Sequence, residues 1–308
     1  MTVGDPRGIG PELVVAAAGD PAVRAACDLV VIGPKGTVAA IDEAIGNWDA
    51  SEDVARAGSL SGLAIARAVS LARAGAVSGL VTAPIDKAAL LAGGYDYPGH
   101  TEMLAALTGC PVAMMLASDT LRVVLATTHV PLRDVPRLIT VDRIVSTATI
   151  TRRYLTEWFG IEEPRIALCA LNPHVGDGGR FGLEDQNVLE PAARSAGILG
   201  PFSADTVFVR GMRGEFDAVI APYHDVGMTA IKVASFGRAV NVTLGLPFPR
   251  TSPDHGTAID IAGRGLADPS SFIAATLWCA RIALRLANSS DGRPGASPLP
   301  DGIAARPQ

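Results

Sequence analysis

The chain is short of the residues that usually advertise chemistry. Its 308 residues hold only four cysteines, Cys27, Cys110, Cys169 and Cys279. None forms a CxxC pair, so neither a disulfide framework nor a cysteine–zinc site is expected, and their apolar surroundings suit reduced core residues. A basic excess is missing too: 26 Lys and Arg against 31 Asp and Glu leave a net charge of -5 and a pI near 5.5, which argues against nucleic acid as a partner. The longest charge-free run of interest, residues 103–118, is broken by Gly109 and Pro111, so no membrane span is expected. The N-terminus shows no charged head followed by an apolar stretch, so no secretory leader is read and a cytoplasmic location is expected. Neither a GxGxxG nor a P-loop spacing occurs.

What remains is a composition of 48% hydrophobic and 19% charged residues with mean hydropathy +0.30. That is enough to bury one large core or two of ordinary size. Strand-like and helix-like runs alternate. Residues 28–33 (DLVVIG) and 77–83 read as strands around an Ala-rich helix at 60–75. Residues 112–117 and 121–127 form a close strand pair. A long amphipathic helix follows at 140–159, with Ile144, Ala148, Leu155 and Trp158 on its buried stripe. Then come strand 165–171, helix 185–196, strands 217–221 and 239–244, and a last helix from about 270 to 286. This order predicts an α/β protein with a mostly parallel sheet and functional loops at the strand ends. Residues 288–308, rich in Ser, Pro, Gly and Asp, read as a disordered tail.

Scarcity points to the candidate sites. Lysine occurs three times (Lys35, Lys87, Lys232) and histidine five times (His100, His129, His174, His224, His255). Every histidine lies beside Gly, Pro, Thr or Asp at the end of an apolar run, where binding loops lie. The stretch GDPRGIGPE, residues 4–12, is a tight loop feeding a helix start, with Pro11 in the first turn. TAPIDK, residues 82–87, precedes YPGHTE, residues 97–102. There a lysine point charge and a His-Thr pair can hold a phosphate or carboxylate, and a solvated surface lysine reads equally well. His129, His174 and His224 supply three imidazoles, a sound set for a divalent metal, although their wide separation carries no ligand signal and three satisfied loop histidines remain open. Lys232, Asn241 and Arg250 can grip an anion, and the Gly-rich stretch from His255 to Gly263 can wrap a nucleotide.

Taken in order, GDPRGIGPE, TAPIDK, YPGHTE, TTHVPLRDVP, LNPHVGDGGRFGLED, PYHD and RTSPDHGTAIDIAGRG closely resemble the 4-hydroxythreonine-4-phosphate dehydrogenase (PdxA) family. The resemblance covers residues 4–286. It implies two α/β domains of isocitrate/isopropylmalate dehydrogenase-like fold, residues 1–95 with 251–287 on the nucleotide side and 96–250 on the metal, substrate and dimer side. It places the active site in the cleft between them, completed across a homodimer interface.

Carried over residue by residue, the metal ligands fall on His129, His174 and His224. The substrate-binding residues fall on His100, Thr101, Lys232, Asn241 and Arg250. NAD or NADP is expected along His255, Gly256, Thr257, Ala258 and Asp260. The implied reaction is metal-dependent oxidation of the C3 hydroxyl of a 4-phosphorylated four-carbon acid, with Zn, Mg, Co or Mn as the ion, followed by decarboxylation of the 3-oxo acid. Lys232 is the candidate for proton handling or carboxylate binding.

The default substrate is 4-hydroxy-L-threonine 4-phosphate, giving 3-amino-2-oxopropyl phosphate for pyridoxal phosphate biosynthesis; D-threonate or D-erythronate 4-phosphate is the alternative. From another class, a three-histidine metallohydrolase would use Asp225 as general base. A catalytically dead phosphate-binding protein is a third option. The pattern departs from the family at Arg7, where Ala is usual, and at Val226, where Gln is usual. Only Met1, Thr2 and Val3 precede the first motif, and residues 33–58 form a shortened segment.

Overall fold

The computed structural model describes residues 1–51, 53–235 and 238–290. The chain opens with helices α1 (Gly10–Gly19) and α2 (Pro21–Ala26), strands β1 (Ile32–Lys35) and β2 (Glu43–Asn47), and helix α3 (Val54–Arg73). Strand β3 (Leu80–Val81) leads to α4 (Lys87–Ala92) and α5 (His100–Thr108), then to the hairpin β4 (Ala113–Ala117) and β5 (Arg122–Leu125). Next are α6 (Val135–Leu138), α7 (Val141–Phe159), β6 (Ile166–Cys169), α8 (Glu190–Ala196), β7 (Leu199–Phe202), α9 (Ala204–Met212) and β8 (Ala218–Ala221). The last elements are α10 (His224–Ser235), β9 (Val240–Leu244), β10 (Arg250–Ser252) and α11 (Ser270–Ser290).

Local chemistry accounts for the long helices. Thr140 caps α7 by accepting from the Arg143 N–H, and the left-handed Gly160 ends it; Ile144, Ala148, Leu155 and Trp158 are buried as their spacing predicts. Helix α3 starts earlier than its apolar pattern suggests, because the Asp53 side chain accepts from the Arg56 N–H. The helix expected at 185–196 begins with a π turn, Asp185–Leu189. Helix α11 runs to Ser290, so residues 288–290 belong to it and not to a tail. The rest of that expected tail, 291–308, lies outside the described residues.

Eight strands form one sheet in the order β3-β10-β9-β4-β5-β8-β6-β7, and β1 pairs with β2 in a smaller one. Thr2 bridges both, pairing in parallel with Ile32 and with Thr82. The few residues before the first motif thus tie the two sheets together. The parallel pairings lie toward both ends of the large sheet, whereas β10-β9, β9-β4 and β4-β5 are antiparallel. The expected mostly parallel α/β sheet is therefore present, with an antiparallel centre.

One face of the sheet is covered by α1, α7, α8 and α11 through Leu13, Ile144, Ala192 and Phe272. Helix α11 is long and apolar enough to cross a membrane by length and composition, but Phe272, Ala275, Cys279 and Ile282 are buried against this core, as in a core helix. On the opposite face α3, α4 and α5 cover one end (Ile65, Leu90, Leu104), and α9 and α10 cover the other (Val207, Phe208, Ile231). The two helix groups part over β4, β9 and β10. Cys169 and Cys279 are buried thiols pushed up to about 12 by burial, Cys27 and Cys110 are half-buried, and all four are free.

Candidate active site

Strand register decides which side chains floor the gap between the helix groups. Leu116 faces Asn241 and Met114 faces Thr243 across β4-β9, and Ser252 pairs with Asn241 across β9-β10. Alternation along a strand then puts Met114, Leu116, Asn241, Thr243, Arg250 and Ser252 on one face. The result is a cleft of about 510 Å³. Its walls come from Thr82, Lys87, His100, Thr101 and Glu102 on one side, His129, His224, Met228 and Lys232 on the other, and Asp254, His255 and Gly256 at the rim.

Arg250 lies at the bottom, 1% exposed. Its terminal nitrogens donate to Thr243 Oγ1 at 2.9 Å and Thr82 Oγ1 at 2.6 Å, while its Nε has no partner. Burial lowers its ionisation to about 10, so at neutral pH it stays a cation, held by two hydroxyls and no carboxylate. A desolvated charge in that state is costly unless an anion joins it. Two more atoms beside it are buried and unpartnered, His100 Nε2 and Asn241 Oδ1. Burial, then the charge of Arg250, holds His100 well below the ordinary histidine range and therefore neutral. His100 and Thr101 open α5, whose cap, Gly99, offers no side chain. Lys232 lies 3.4 Å from Asp254 Oδ2; burial raises the Asp254 carboxyl and Lys232 opposes that rise.

The second feature is a pair of imidazoles. Strands β5, β8 and β6 are adjacent and parallel, and the segments beyond their C-terminal ends carry His129, His224 and His174. The first two meet, with ring centroids 5.6 Å apart. His129 is lowered by burial, with Lys87 and His224 adding to the shift and Glu102 opposing it, which keeps it a neutral donor. Asp225 Oδ1 lies 2.7 Å from His224 Nδ1, a contact that fixes the ring as outer carboxylates do for metal-binding histidines. Asp225 itself is outside the cleft, its side chain 87% exposed.

His174 does not join the pair. It is exposed, on a run from His174 to Gly178 whose φ angles are all left-handed, and it does not line the cleft. Among the described residues no group of three His, Cys, Asp or Glu side chains is placed to hold a metal ion. The donor set of one chain therefore fits a divalent ion with two imidazoles and needs at least one ligand from elsewhere.

The nucleotide-type loop is split in the same way. His255 and Gly256 reach the cleft rim, while Thr257, Ala258 and Asp260 do not line the cleft and Thr257 lies against the first motif. The Ile9 N–H donates to Thr257 O at 2.9 Å, and a Cβ on Gly8 would meet that oxygen at 2.7 Å, so only glycine lets the two loops approach this closely. Ala258 takes a left-handed φ of 41°, and Asp260 is exposed on a 3-10 turn. Arg7 adds no free cation to the cleft, because it forks onto the fully buried Asp5 at 3.0 and 2.7 Å. Val226 packs against the apolar cluster beneath α10.

Sequence reasoning missed Thr82, Thr243, Glu102 and Asp254. Thr243 was findable in principle, being two residues along β9 from Asn241. Thr82 carries no local signal, since only the pairing of β3 with β10 brings it to Arg250.

The matches with known proteins span most of the chain. The model of the pyridoxal phosphate biosynthetic protein PdxA matches residues 18–279. A 4-hydroxythreonine-4-phosphate dehydrogenase of Geobacter metallireducens is 42% identical, covering 96% of this chain and 97% of the relative. One of Ruegeria is 45% identical over 89% and 93%. Among solved structures, 4-hydroxythreonine-4-phosphate dehydrogenase from Klebsiella pneumoniae superposes with TM-score 0.80 at 36% identity, covering 92% of this chain and 96% of that one. A terephthalate 1,2-cis-dihydrodiol dehydrogenase from Burkholderia xenovorans gives 0.60 at 29%, over 88% and 94%. A cleft floored by a buried, counter-ion-free arginine and walled by paired imidazoles thus sits within a chain that matches one family nearly end to end, and the protein belongs to the pyridoxal phosphate biosynthetic PdxA family of dehydrogenases.

Proposed function

We propose that the chain oxidises 4-hydroxy-L-threonine 4-phosphate at its C3 hydroxyl and releases carbon dioxide from the resulting 3-oxo acid. The observation that carries this reading is the set of unpartnered atoms on Arg250, His100 and Asn241 in one cleft. Together they form a polar floor that a phosphorylated acid would complete. Arg250, Asn241 and the His100-Thr101 start of α5 bind and orient the substrate.

His129 and His224, with His174 contributed by a second copy in a homodimer, would hold a divalent ion. NAD or NADP would lie along His255, Gly256, Thr257, Ala258 and Asp260. When bound, these groups supply charge stabilisation at oxygen and a hydride acceptor. Lys232, tethered to Asp254, in this reading moves protons: one leaves the C3 hydroxyl as hydride departs, and one returns to C2 when the carboxylate is lost. In this reading residues 1–95 with 251–287 form the nucleotide side and 96–250 the substrate side of a cytoplasmic enzyme. The hydrolase alternative is weaker, because its general base, Asp225, points away from the cleft and is engaged by His224.

The test offers the purified protein NAD or NADP with Zn, Mg, Mn or Co, and compares 4-hydroxythreonine 4-phosphate with D-threonate and D-erythronate 4-phosphates. Chelator-sensitive reduced-cofactor formation with the first substrate is expected. Preference for a sugar acid would reassign the substrate, and no turnover of any would overturn the reading.

A further inference from the structure

We propose that Lys87 is a further substrate-binding residue, and that Lys87 and the bare N-terminus of α5 together seat the substrate's phosphate group. The inference deepens the dehydrogenase reading and rests on it only for the identity of the phosphate ester.

Lys87 lines the cleft, and no carboxylate pairs with it among the described residues. Lys232, the other lysine of the cleft, is engaged by Asp254. The acid next to Lys87 in sequence is also engaged: Asp86 caps α4 by accepting from the Ala89 N–H at 2.8 Å, and its second oxygen lies 3.8 Å from Arg7. Glu102, which faces the same cleft, makes no ion pair with the Lys87 ammonium. A charge left uncompensated on a cleft wall is free for a ligand.

Its neighbour is the start of α5. A Cβ built on Gly99 would lie 3.7 Å from Lys87 Cε and 3.6 Å from Glu102 Oε2, so the lysine stem and the Glu102 carboxylate flank the helix cap from either side. Gly99 provides no capping side chain and no side chain accepts from the first-turn N–H groups, although Glu102 places a carboxylate in that turn, so the N–H groups remain available to a ligand at the positive end of the helix dipole. Thr101 adds a hydroxyl. The independent sign that an anion belongs here is Arg250, 1% exposed with its Nε unpartnered, on the same cleft. Backbone N–H groups, a hydroxyl and point-charge cations are the chemistry that recognises a phosphate monoester.

Inorganic phosphate is the probe, titrated calorimetrically into the full-length wild type, Lys87→Met, Lys87→Arg and the remote control Lys35→Met, with NADH affinity and thermal midpoint measured alongside. Lys87→Met is expected to weaken phosphate binding by about 10- to 100-fold. Lys87→Arg should keep most of the affinity, Lys35→Met should match the wild type, and NADH affinity should not move. Equal affinity in wild type and Lys87→Met, no binding by the wild type, or a parallel loss in Lys35→Met would each overturn the proposal. Because the probe needs no turnover, failure of the dehydrogenase assay leaves this result readable.

Discussion

The two walls of the cleft are built on different principles. The anion side is drawn from ladder positions and a helix start: Arg250, Asn241 and Thr243 face the same way because β9 and β10 are in register, and α5 begins where His100 must sit. The imidazole side is drawn from segments beyond strand ends, where His129 on a loop meets His224 at the start of α10 but His174 stands apart, exposed on a left-handed run. The groups carried by the sheet converge within one chain, whereas the three imidazoles do not.

The largest expected effect lies on the sheet side. Arg250→Met removes a buried cation with no counter-ion, so function and stability should separate: kcat/KM falls by roughly a thousand-fold or more, while the thermal midpoint of the ligand-free protein does not fall. Steady-state rates and melting curves of one preparation suffice. A large drop in midpoint would mean that the two threonine contacts already satisfy the guanidinium, and the cleft floor would lose its claim on an anion.

Next comes the loop side. His129→Ala and His174→Ala should each weaken Zn or Co binding by roughly a hundred-fold, and His174→Ala should leave the metal-free melting curve unchanged because the ring is exposed. Calorimetric titration decides. Undiminished affinity in His174→Ala would remove that residue from the metal site and leave the loop side with two ligands.

A smaller effect follows from His100. Its ionisation is held well below the ordinary value of 6.5 by burial and by Arg250, so between those two values the unfolded chain binds the proton that the folded chain refuses. Stability is then fully present above about pH 6.5 and is lost as pH falls from there toward the folded value. His129, lowered in the same direction, adds to the slope. Thermal midpoints of the metal-free protein should decline between pH 7 and 5, and less steeply in His100→Asn; identical slopes would show that His100 accepts a proton freely.

How far the sequence could be read follows the same division. Helix α7 was legible end to end because its cap residue, buried stripe and terminal glycine all agree. The candidate residues were legible as a set because lysine and histidine are so scarce. Their assembly was not. Helices α5 and α10 start on His100 and His224, which read as loop residues because Gly99 gives no capping signal and α5 is short. Strand β10 has three residues, too few for any periodicity, yet it carries Arg250 and sets its register. The antiparallel centre was hidden as well, since strand order depends on pairing between segments far apart in sequence.

The smallest effect, and the one that best separates the two chemistries open to a histidine cleft, concerns Asp225. As an orienting partner of His224 it acts on ring direction and tautomer, and removing such a partner costs about 10- to 100-fold in metal affinity. As the general base of a hydrolase it would cost about 100- to 10,000-fold in turnover. With its side chain 87% exposed and its oxygen on His224 Nδ1, Asp225→Ala should fall at the low end, near ten-fold in Co affinity, with the thermal midpoint unchanged and turnover restored by added metal. Turnover that stays lost at saturating metal would show that Asp225 swings into the cleft to handle a proton, and the loop side would then be a catalytic wall as well as a metal-holding one.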